Sequence, residues 1–243
     1  MSAFLYTVGA ASSGTPVSLD LSPRSGTPSS IANGATLDAT MLDGWQVWDP
    51  TGYLTGGAIT DSGSVMTVQA TGQSTNAYTG SGLWTNASLF LDTWLYGDFS
   101  AELKYAGESN MATGGTWIGL AAGQKGTASP LASFNSASAG HKTGSYRNVQ
   151  WNTAVSSASG STLFYEDGSN VAWATAAWMQ IKREGSTVTV SQKTGDDDDW
   201  TVTKADTVDL IGARFQISIM FAPYGTKTFS LYGFTLTGTE AAE

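Results

Sequence analysis

The feature that most constrains this chain is a repeated alternation of apolar and polar residues in short runs. Alternation with a period of two places one set of side chains in a core and the other towards water. Turn clusters containing glycine or serine separate the runs, as at 61–63, 184–186 and 224–225. The pattern predicts an all-β, antiparallel two-sheet sandwich. The clearest runs are 65–69, 99–105, 187–191, 216–221 and 229–236.

Composition narrows the classes of partner and of site. The chain has 243 residues, enough for one sandwich with a substantial core, and no cysteine. Disulfides, thiolate metal sites and thiol nucleophiles are therefore excluded. With 11 basic and 20 acidic residues the net charge is −9, which repels phosphate backbones and anionic lipid surfaces. We predict neither nucleic acid nor membrane as a partner.

Residues 1–40 differ from the rest of the chain, and we predict an extended N-terminal arm there, followed by the sandwich domain over 41–243. Ser, Thr, Gly and Pro dominate this segment, and Pro16, Pro23 and Pro28 favour extended backbone. The segment is either a flexible leader or an arm that becomes ordered on a partner subunit. No Lys or Arg precedes Arg24, so the positive start of a secretory signal is missing.

The interior segment 106–172 lacks regular alternation and is rich in Ser, Ala, Gly and Asn. It contains His141, the one histidine of the chain. Long loops in a compact domain are usually functional, so we predict loops at a binding edge here.

Three stretches together resemble the concanavalin A-like lectin/glucanase domains. Residues 97–104 (GDFSAELK) look like one of their strands, and residues 178–190 (WMQIKREGSTVTV) are similar to one of their hairpins. Residues 229–234 (FSLYGF) resemble the closing strand that pairs beside the N-terminal strand. The resemblance spans about residues 42–238 and implies two packed sheets in a jelly roll. In such a hairpin, Trp178 and Ile181 would point inward.

Glycoside hydrolysis needs two carboxyl groups that flank the scissile bond. The glucanases of the resembled family place them in alternation on one strand, and this chain has no such cluster. Glu102 is alone on its predicted strand, whereas Glu166 and Asp167 adjoin a glycine in a predicted turn. His141 has no readable triad partners, and no phosphate-binding glycine loop is present. We predict that the protein is not an enzyme and has no catalytic or cofactor-binding residues.

The acidic run 196–199 is the most conspicuous local feature of the sequence. Adjacent aspartates splay apart and repel one another, so we predict a solvated hairpin tip between strands over 187–193 and 200–204. The alternative is calcium binding through loop carboxylates. We predict no metal-ligand residues and no cofactor, with calcium as that alternative.

Aromatic residues near predicted turns would suit either the stacking of a sugar ring or a protein interface. The sequence does not separate these two uses. The residues concerned are Trp45, Trp48, Tyr53, Trp94, Tyr96, Tyr146 and Trp151.

The sequence favours a non-enzymatic structural or interaction protein of a virion, namely a bacteriophage head decoration or fibre-like component. It would be made in the host cytoplasm without a signal peptide and would join other virion proteins through the arm, as a homo-oligomer. A host-surface glycan is a further expected partner. The alternative is a carbohydrate-binding module that recognises surface glycans. A glycan hydrolase is the third hypothesis, with Glu102 and Glu166 as the residues to test.

Overall fold

A computed structural model of the chain describes residues 14–73, 87–108, 116–123, 136–142, 146–154, 163–172, 174–207 and 214–240. Within these ranges every regular element is a β-strand, which confirms the all-β prediction. The same ranges contain no helix long and apolar enough to cross a bilayer.

The strands are numbered here in chain order. They are β1 (Thr15–Leu21), β2 (Ser25–Gly26), β3 (Gln46–Trp48), β4 (Ala58–Ser62), β5 (Met66–Gln73), β6 (Ala87–Phe90), β7 (Leu95–Tyr96), β8 (Phe99–Gly107), β9 (Trp117–Gly123), β10 (Ser136–Lys142), β11 (Tyr146–Ala154), β12 (Leu163–Ala172), β13 (Ala177–Glu184), β14 (Thr187–Lys193), β15 (Thr201–Thr207), β16 (Arg214–Ala222) and β17 (Tyr224–Glu240).

The strands form two sheets in which all described neighbours are antiparallel. Sheet A has the order β2-β4-β5-β17-β8-β13-β14-β15. In this sheet β1 lies beside the C-terminal half of β17, in line with β5 on the same side. Sheet B has the order β3-β6-β16-β9-β10-β11-β12. The short β7 pairs with the start of β16 and the end of β17.

The core lies between the two sheets and follows the predicted alternation. On β8 the side chains of Phe99, Ala101 and Leu103 are buried, whereas Ser100 and Glu102 are half-exposed. From sheet B, residues such as Leu120 and Ile217 enter the same apolar cluster. Each fully buried side chain of this kind contributes roughly 1.5–3 kcal/mol to the free energy of folding.

The hairpin of β13 and β14 forms where the sequence predicted it. Glu184 pairs with Thr187, so Gly185 and Ser186 make a two-residue turn. The φ of Gly185 is +57°, which glycine adopts without steric cost and which such tight hairpins need.

The described part of the N-terminal segment, residues 14–40, packs on the sandwich of its own chain. All seven residues of β1 are in register with β17, from Thr15 opposite Glu240 to Leu21 opposite Phe234. Leu37 lies in the same buried core as Met41, so the core extends across the predicted boundary at residue 40. For these residues the structure differs from an arm that becomes ordered only on a partner. Docking of the arm on a neighbour stays a prediction.

The interior segment 106–172 differs most from its prediction as loops. Where the structure describes it, residues 106–172 are mostly strands, and β9 to β12 supply four of the seven strands of sheet B. Ser, Ala, Gly and Asn have weak strand preference of their own, so pairing with neighbours decides the conformation. Glu166 and Asp167 lie within β12, opposite Gln150 and Val149. The prediction of a turn there is wrong, because Gly168 lies at an irregularity in the register instead.

A buried carboxylate ties three loops to sheet A. Asp61 is 4% exposed and lies near the end of β4, opposite Gly26 on β2. Its Oδ2 accepts hydrogen bonds from the backbone N–H of Arg24 and of Met41, each at 2.8 Å. Its Oδ1 accepts one from the N–H of Gly63 at 3.0 Å. The bonds from Arg24 and Met41 span 37 and 20 positions of the chain and hold the segment that follows β1.

We expect Asp61→Ala to lower the free energy of unfolding by about 2 kcal/mol or more, because three backbone donors lose their acceptor. Urea unfolding followed by circular dichroism measures this. The control is Asp43→Ala, since Asp43 is exposed and pairs with Arg24 at 3.5 Å. Such a surface pair contributes at most about 1 kcal/mol. Equal losses in the two variants would contradict the role of Asp61.

Candidate functional site

The outer face of sheet A is a polar surface on which Glu102 is paired with its neighbours across the sheet, whereas Ser100 Oγ has no partner in the described structure. Glu102 Oε1 accepts a hydrogen bond from Gln180 Nε2 at 2.8 Å, and its Oε2 accepts one from Thr235 Oγ1 at 3.3 Å. The three residues lie opposite one another on β13, β8 and β17. This carboxylate is therefore held in a row of hydrogen bonds across the sheet.

The structure does not bring together the two acids named for a hydrolase. Glu102 points away from the core, because its neighbours Ala101 and Leu103 are buried. Glu166 lies on β12, at the far end of the strand order of sheet B. A glycosidase pair stands roughly 5–10 Å apart across one bond. Glu102 and Glu166 belong to different sheets and do not form such a pair.

The acidic run forms the hairpin tip that the sequence predicted, between β14 and β15. Asp196 accepts hydrogen bonds from Lys104 Nζ at 2.6 Å and from Trp178 Nε1 at 2.7 Å. Asp198 Oδ2 accepts bonds from Thr194 Oγ1 at 2.9 Å and from the N–H of Gly195 at 2.6 Å. The two carboxylates are thus turned to different partners in the protein.

That arrangement does not fit a calcium site. Calcium takes six to eight oxygen ligands that converge on one point. Asp196 instead faces an ammonium group and an indole N–H, and Asp198 closes a turn of its own loop. Among the residues that the structure describes, no three acids or histidines are grouped closely enough to hold a metal ion.

Trp178 lies on the outer face of sheet A, and the prediction that it points inward is wrong. Ile181 does point inward and is fully buried. The two positions are three residues apart on one strand, so their side chains face opposite sides. Lys104 and Lys193 lie over the Trp178 ring at 5.5 and 5.6 Å from its centroid. Lys193 also lies over the ring of Trp200 at 5.1 Å.

The charged form of Asp196 is favoured by this cluster. Hydrogen bonds from Lys104 and then from Trp178 lower the pKa of Asp196 below its ordinary value of 3.8. A folded-state pKa below the unfolded one gives stability that is fully present above the unfolded value. This contribution is lost as the pH falls through the lowered pKa.

We expect the indole N–H resonance of Trp178 to shift as the pH falls below 3.8, because protonated Asp196 is a weaker acceptor. A ¹H–¹⁵N correlation spectrum recorded over an acid titration measures this. In Asp196→Asn the resonance should stay in place over the same range. Asp197→Asn is the matched control and should titrate like the wild type. A resonance that does not move in the wild type would contradict the contact.

On the outer face of sheet B, several polar side chains are buried without partners in the described structure. On β16 the core cluster takes every second residue, namely Phe215, Ile217, Ile219 and Phe221, so the residues between them face outward. These are Gln216, Ser218 and Met220, which are 2%, 0% and 1% exposed. Gln216 Oε1 and Ser218 Oγ have no hydrogen-bond partner in the described structure. Each such group costs about 1–3 kcal/mol of stability, so native proteins keep few of them.

Trp48 extends this set towards the end strand of the sheet. It pairs with Ser88 on β6, and Ser88 pairs with Met220 on β16. The Trp48 ring is half-buried, and its Nε1 is buried without a partner in the described structure. We call these five residues the B-face: Trp48, Ser88, Gln216, Ser218 and Met220.

The strand on the other side of β16 carries small residues at the matching positions. Gly119, Ala121 and Gly123 on β9 lie opposite Met220, Ser218 and Gln216. Gly119 and Ala121 are buried like their partners on β16, so other parts of the protein cover this region of the sheet as well. The register continues to Gly140 and Ser138 on β10.

A second buried aspartate positions Trp48. Asp49 follows it directly and is 3% exposed. Its Oδ1 accepts a bond from the N–H of Tyr53 at 2.7 Å, and its Oδ2 accepts bonds from the N–H groups of Leu54 and Thr55, each at 2.9 Å. These bonds close the loop after β3 and fix the end of the strand that carries Trp48.

The sequence named only part of this site. Trp48 was among the candidate aromatics, but Trp45 of the same group is in the core, edge-on to Phe234 at 5.0 Å. The polar residues of 216–221 were expected to face water, and the structure buries them. His141 pairs with Ile118 in the backbone register of β10 and β9, and its side chain lies outside the described residues. The side chains of Tyr146 and Trp151 lie outside the described residues.

Comparison with solved structures shows a lectin-like β-sandwich, in agreement with the predicted fold. The exoplasmic/lumenal domain of VIP36, solved with Ca²⁺ and Man2 bound, is 10% identical with a TM-score of 0.53, and the match covers 93% of this chain and 89% of that one. Winged bean acidic lectin, complexed with methyl-α-D-galactose, is 9% identical with a TM-score of 0.50, covering 93% and 100%. An alginate lyase from Klebsiella pneumoniae is 12% identical with a TM-score of 0.52, covering 75% and 85%.

These identities establish the shared fold alone. No protein-family model and no curated protein sequence matches the chain.

Proposed function

We propose that this protein binds a neutral glycan on the B-face and does not cleave it. The observation that carries the proposal is the set of buried polar atoms without partners on one face of one sheet, Trp48 Nε1, Gln216 Oε1 and Ser218 Oγ. A ligand that supplies hydrogen bonds to these atoms would recover the free energy that their burial costs.

The chemistry of the B-face matches sugar hydroxyls. The indole N–H is a donor, the amide oxygen is an acceptor and the serine hydroxyl is both, as a sugar hydroxyl is. Trp48, which is partly exposed, adds apolar surface for the C–H face of a pyranose ring, whereas Met220 is buried. None of the five residues carries a charge, and the chain has a net charge of −9, so an acidic polysaccharide is disfavoured.

The length of the B-face favours a chain of several sugars over a monosaccharide. Trp48 and Gln216 are two strands and four residues apart, roughly 16 Å from strand geometry. Gln216 and Ser218 are almost fully buried whereas Trp48 is half-exposed. Because other parts of the protein cover Gln216 and Ser218, a glycan would contact Trp48 first and would reach Gln216 only when that cover moves aside.

Two solved neighbours support the choice of ligand class, since one was solved with Man2 and the other with methyl-α-D-galactose. Glycan binding also fits the predicted setting on a virus particle, where host-surface glycans would be the ligands. That setting and the homo-oligomer stay predictions from the sequence.

We expect the wild type to give a sugar-dependent signal on an array of neutral glycans, and Gln216→Leu to weaken binding of the best hit about tenfold or more. The variant keeps the side-chain volume but removes the acceptor, and one buried hydrogen bond is worth about 1.4 kcal/mol. Isothermal titration calorimetry measures the affinity.

Gln180→Leu is the control, because the same exchange on the outer face of sheet A should leave binding unchanged. A thermal melt confirms that both variants fold. The proposal fails if no neutral glycan binds, or if Gln216→Leu binds as well as the wild type.

We expect no turnover of the bound glycan, because the acids named for a hydrolase lie on different sheets. Prolonged incubation with the array hit should release neither new reducing ends nor unsaturated sugars that absorb in the ultraviolet. The appearance of either product, at a rate proportional to protein concentration, would overturn the non-catalytic part of the proposal.

A further inference from the structure

The N-terminal strand β1 is held at the margin of sheet A by one neighbour. Its seven residues pair with the C-terminal half of β17, from Leu21 opposite Phe234 to Thr15 opposite Glu240. Among the described residues, β17 is the only strand that pairs with it. The strand thus completes a sheet whose other members come from the rest of the chain.

The attachments of β1 are of a kind that any copy of this chain can provide. Val17, Leu19 and Leu21 are half-buried against the core, and the remaining contacts are the backbone ladder. Within the described structure no side chain of residues 15–21 makes a hydrogen bond or ion pair. The contacts therefore depend on the surface of β17 and the core, and not on the covalent link to the same chain.

The connection after β1 is short and ends at a fixed point. Three residues, Ser22, Pro23 and Arg24, separate β1 from β2. The N–H of Arg24 donates to Asp61 Oδ2, and its carbonyl accepts a bond from the N–H of Gly63 at 3.1 Å. Pro23 favours an extended conformation for the residue before it. A change in direction at residues 22–24 would move β1 as a unit and leave Arg24 in place.

We propose that β1 is exchanged between two copies of this chain, so that the β1 of each copy pairs with the β17 of the other. Exchange keeps every strand contact and changes only the connection, which is why it is a low-cost route to a dimer. Loss of β1 without replacement would expose the core surface that Val17, Leu19 and Leu21 cover, so a second β1 is the occupant that fits. The proposal is independent of glycan binding.

An engineered disulfide distinguishes the two arrangements, because the chain contains no cysteine of its own. Ser18 and Thr237 are both exposed and lie opposite each other on β1 and β17. After mild oxidation of Ser18→Cys/Thr237→Cys, exchange gives a covalent dimer on a non-reducing denaturing gel. A strand that folds back on its own chain gives a cross-linked monomer.

The matched control is a pair of facing residues that belong to the same chain whether or not β1 is exchanged. Thr71 and Thr226 lie opposite each other on β5 and β17, with their Oγ1 atoms 3.0 Å apart, and both are exposed. Thr71→Cys/Thr226→Cys should therefore give a cross-linked monomer in either arrangement. A covalent dimer from this control would show cross-linking by collision and would remove the support from the first result.

Two single variants that carry different tags give a second test, which can be used even if the double variant does not fold. When Ser18→Cys and Thr237→Cys chains are co-expressed and oxidised, exchange yields a disulfide between the two tags. Light scattering of the wild type should report two chains per particle. A monomeric wild type with only intrachain disulfides overturns the proposal, and so does a dimer that forms through Ser18→Cys alone.

Discussion

The pairing of β17 with its neighbours is the constraint on which the rest of the sandwich depends. This strand runs for 17 residues, and its two halves meet β5 and β1 on one side and β8 on the other. Phe229 and Leu231 are two residues apart, and so are Phe234 and Leu236, but the step from Leu231 to Phe234 is three residues. In a regular strand the two pairs would therefore face opposite sides of the sheet. The irregularity between Leu231 and Gly233 restores the phase, so that both halves bury their apolar side chains.

That local irregularity also shapes the outer surface of sheet A. Tyr232 is left facing solvent, and Gly233 lies beside the edge of the Trp178 ring. The ring then lies where Lys104, Lys193 and Asp196 surround it. Sheet A thus presents an outer face on which the carboxylates and the indole that drew attention in the sequence are bound to each other. Polar groups that bond to each other in this way offer little free energy to a ligand, although Ser100 Oγ on the same face has no partner in the described structure.

In the described structure, sheet B carries the larger set of unpaired polar atoms on its outer face. Its central strand β16 is buried on both sides, yet the outward set contains an amide and a hydroxyl with no partner in the described structure. Solved structures of the same fold include a lectin and a lyase, so the sandwich itself does not choose between binding and catalysis. The choice rests on side chains, and those described on the B-face can donate and accept hydrogen bonds but cannot act as an acid and base pair.

The sequence predicted those parts of the fold in which local pattern and tertiary contact agree. The alternating runs became β5, β8, β14, β16 and β17, and the glycine turn at 185 joined its hairpin as expected. The strands of 106–172 were missed because small polar residues carry no periodic signal, and their strand character comes from pairing within sheet B.

The buried acids and the B-face were missed for a related reason, since burial is set by what packs on top and not by the residue itself. Asp61 and Asp49 look like ordinary loop aspartates in the sequence, although each accepts three backbone N–H groups. Gln216 and Ser218 fit an alternating run whose polar side should face water. A sequence pattern gives the face on which a side chain lies, whereas its partners depend on residues that only the fold brings near. For that reason the sandwich could be derived from the chain, and its candidate site could be recognised only from unpaired atoms in the structure.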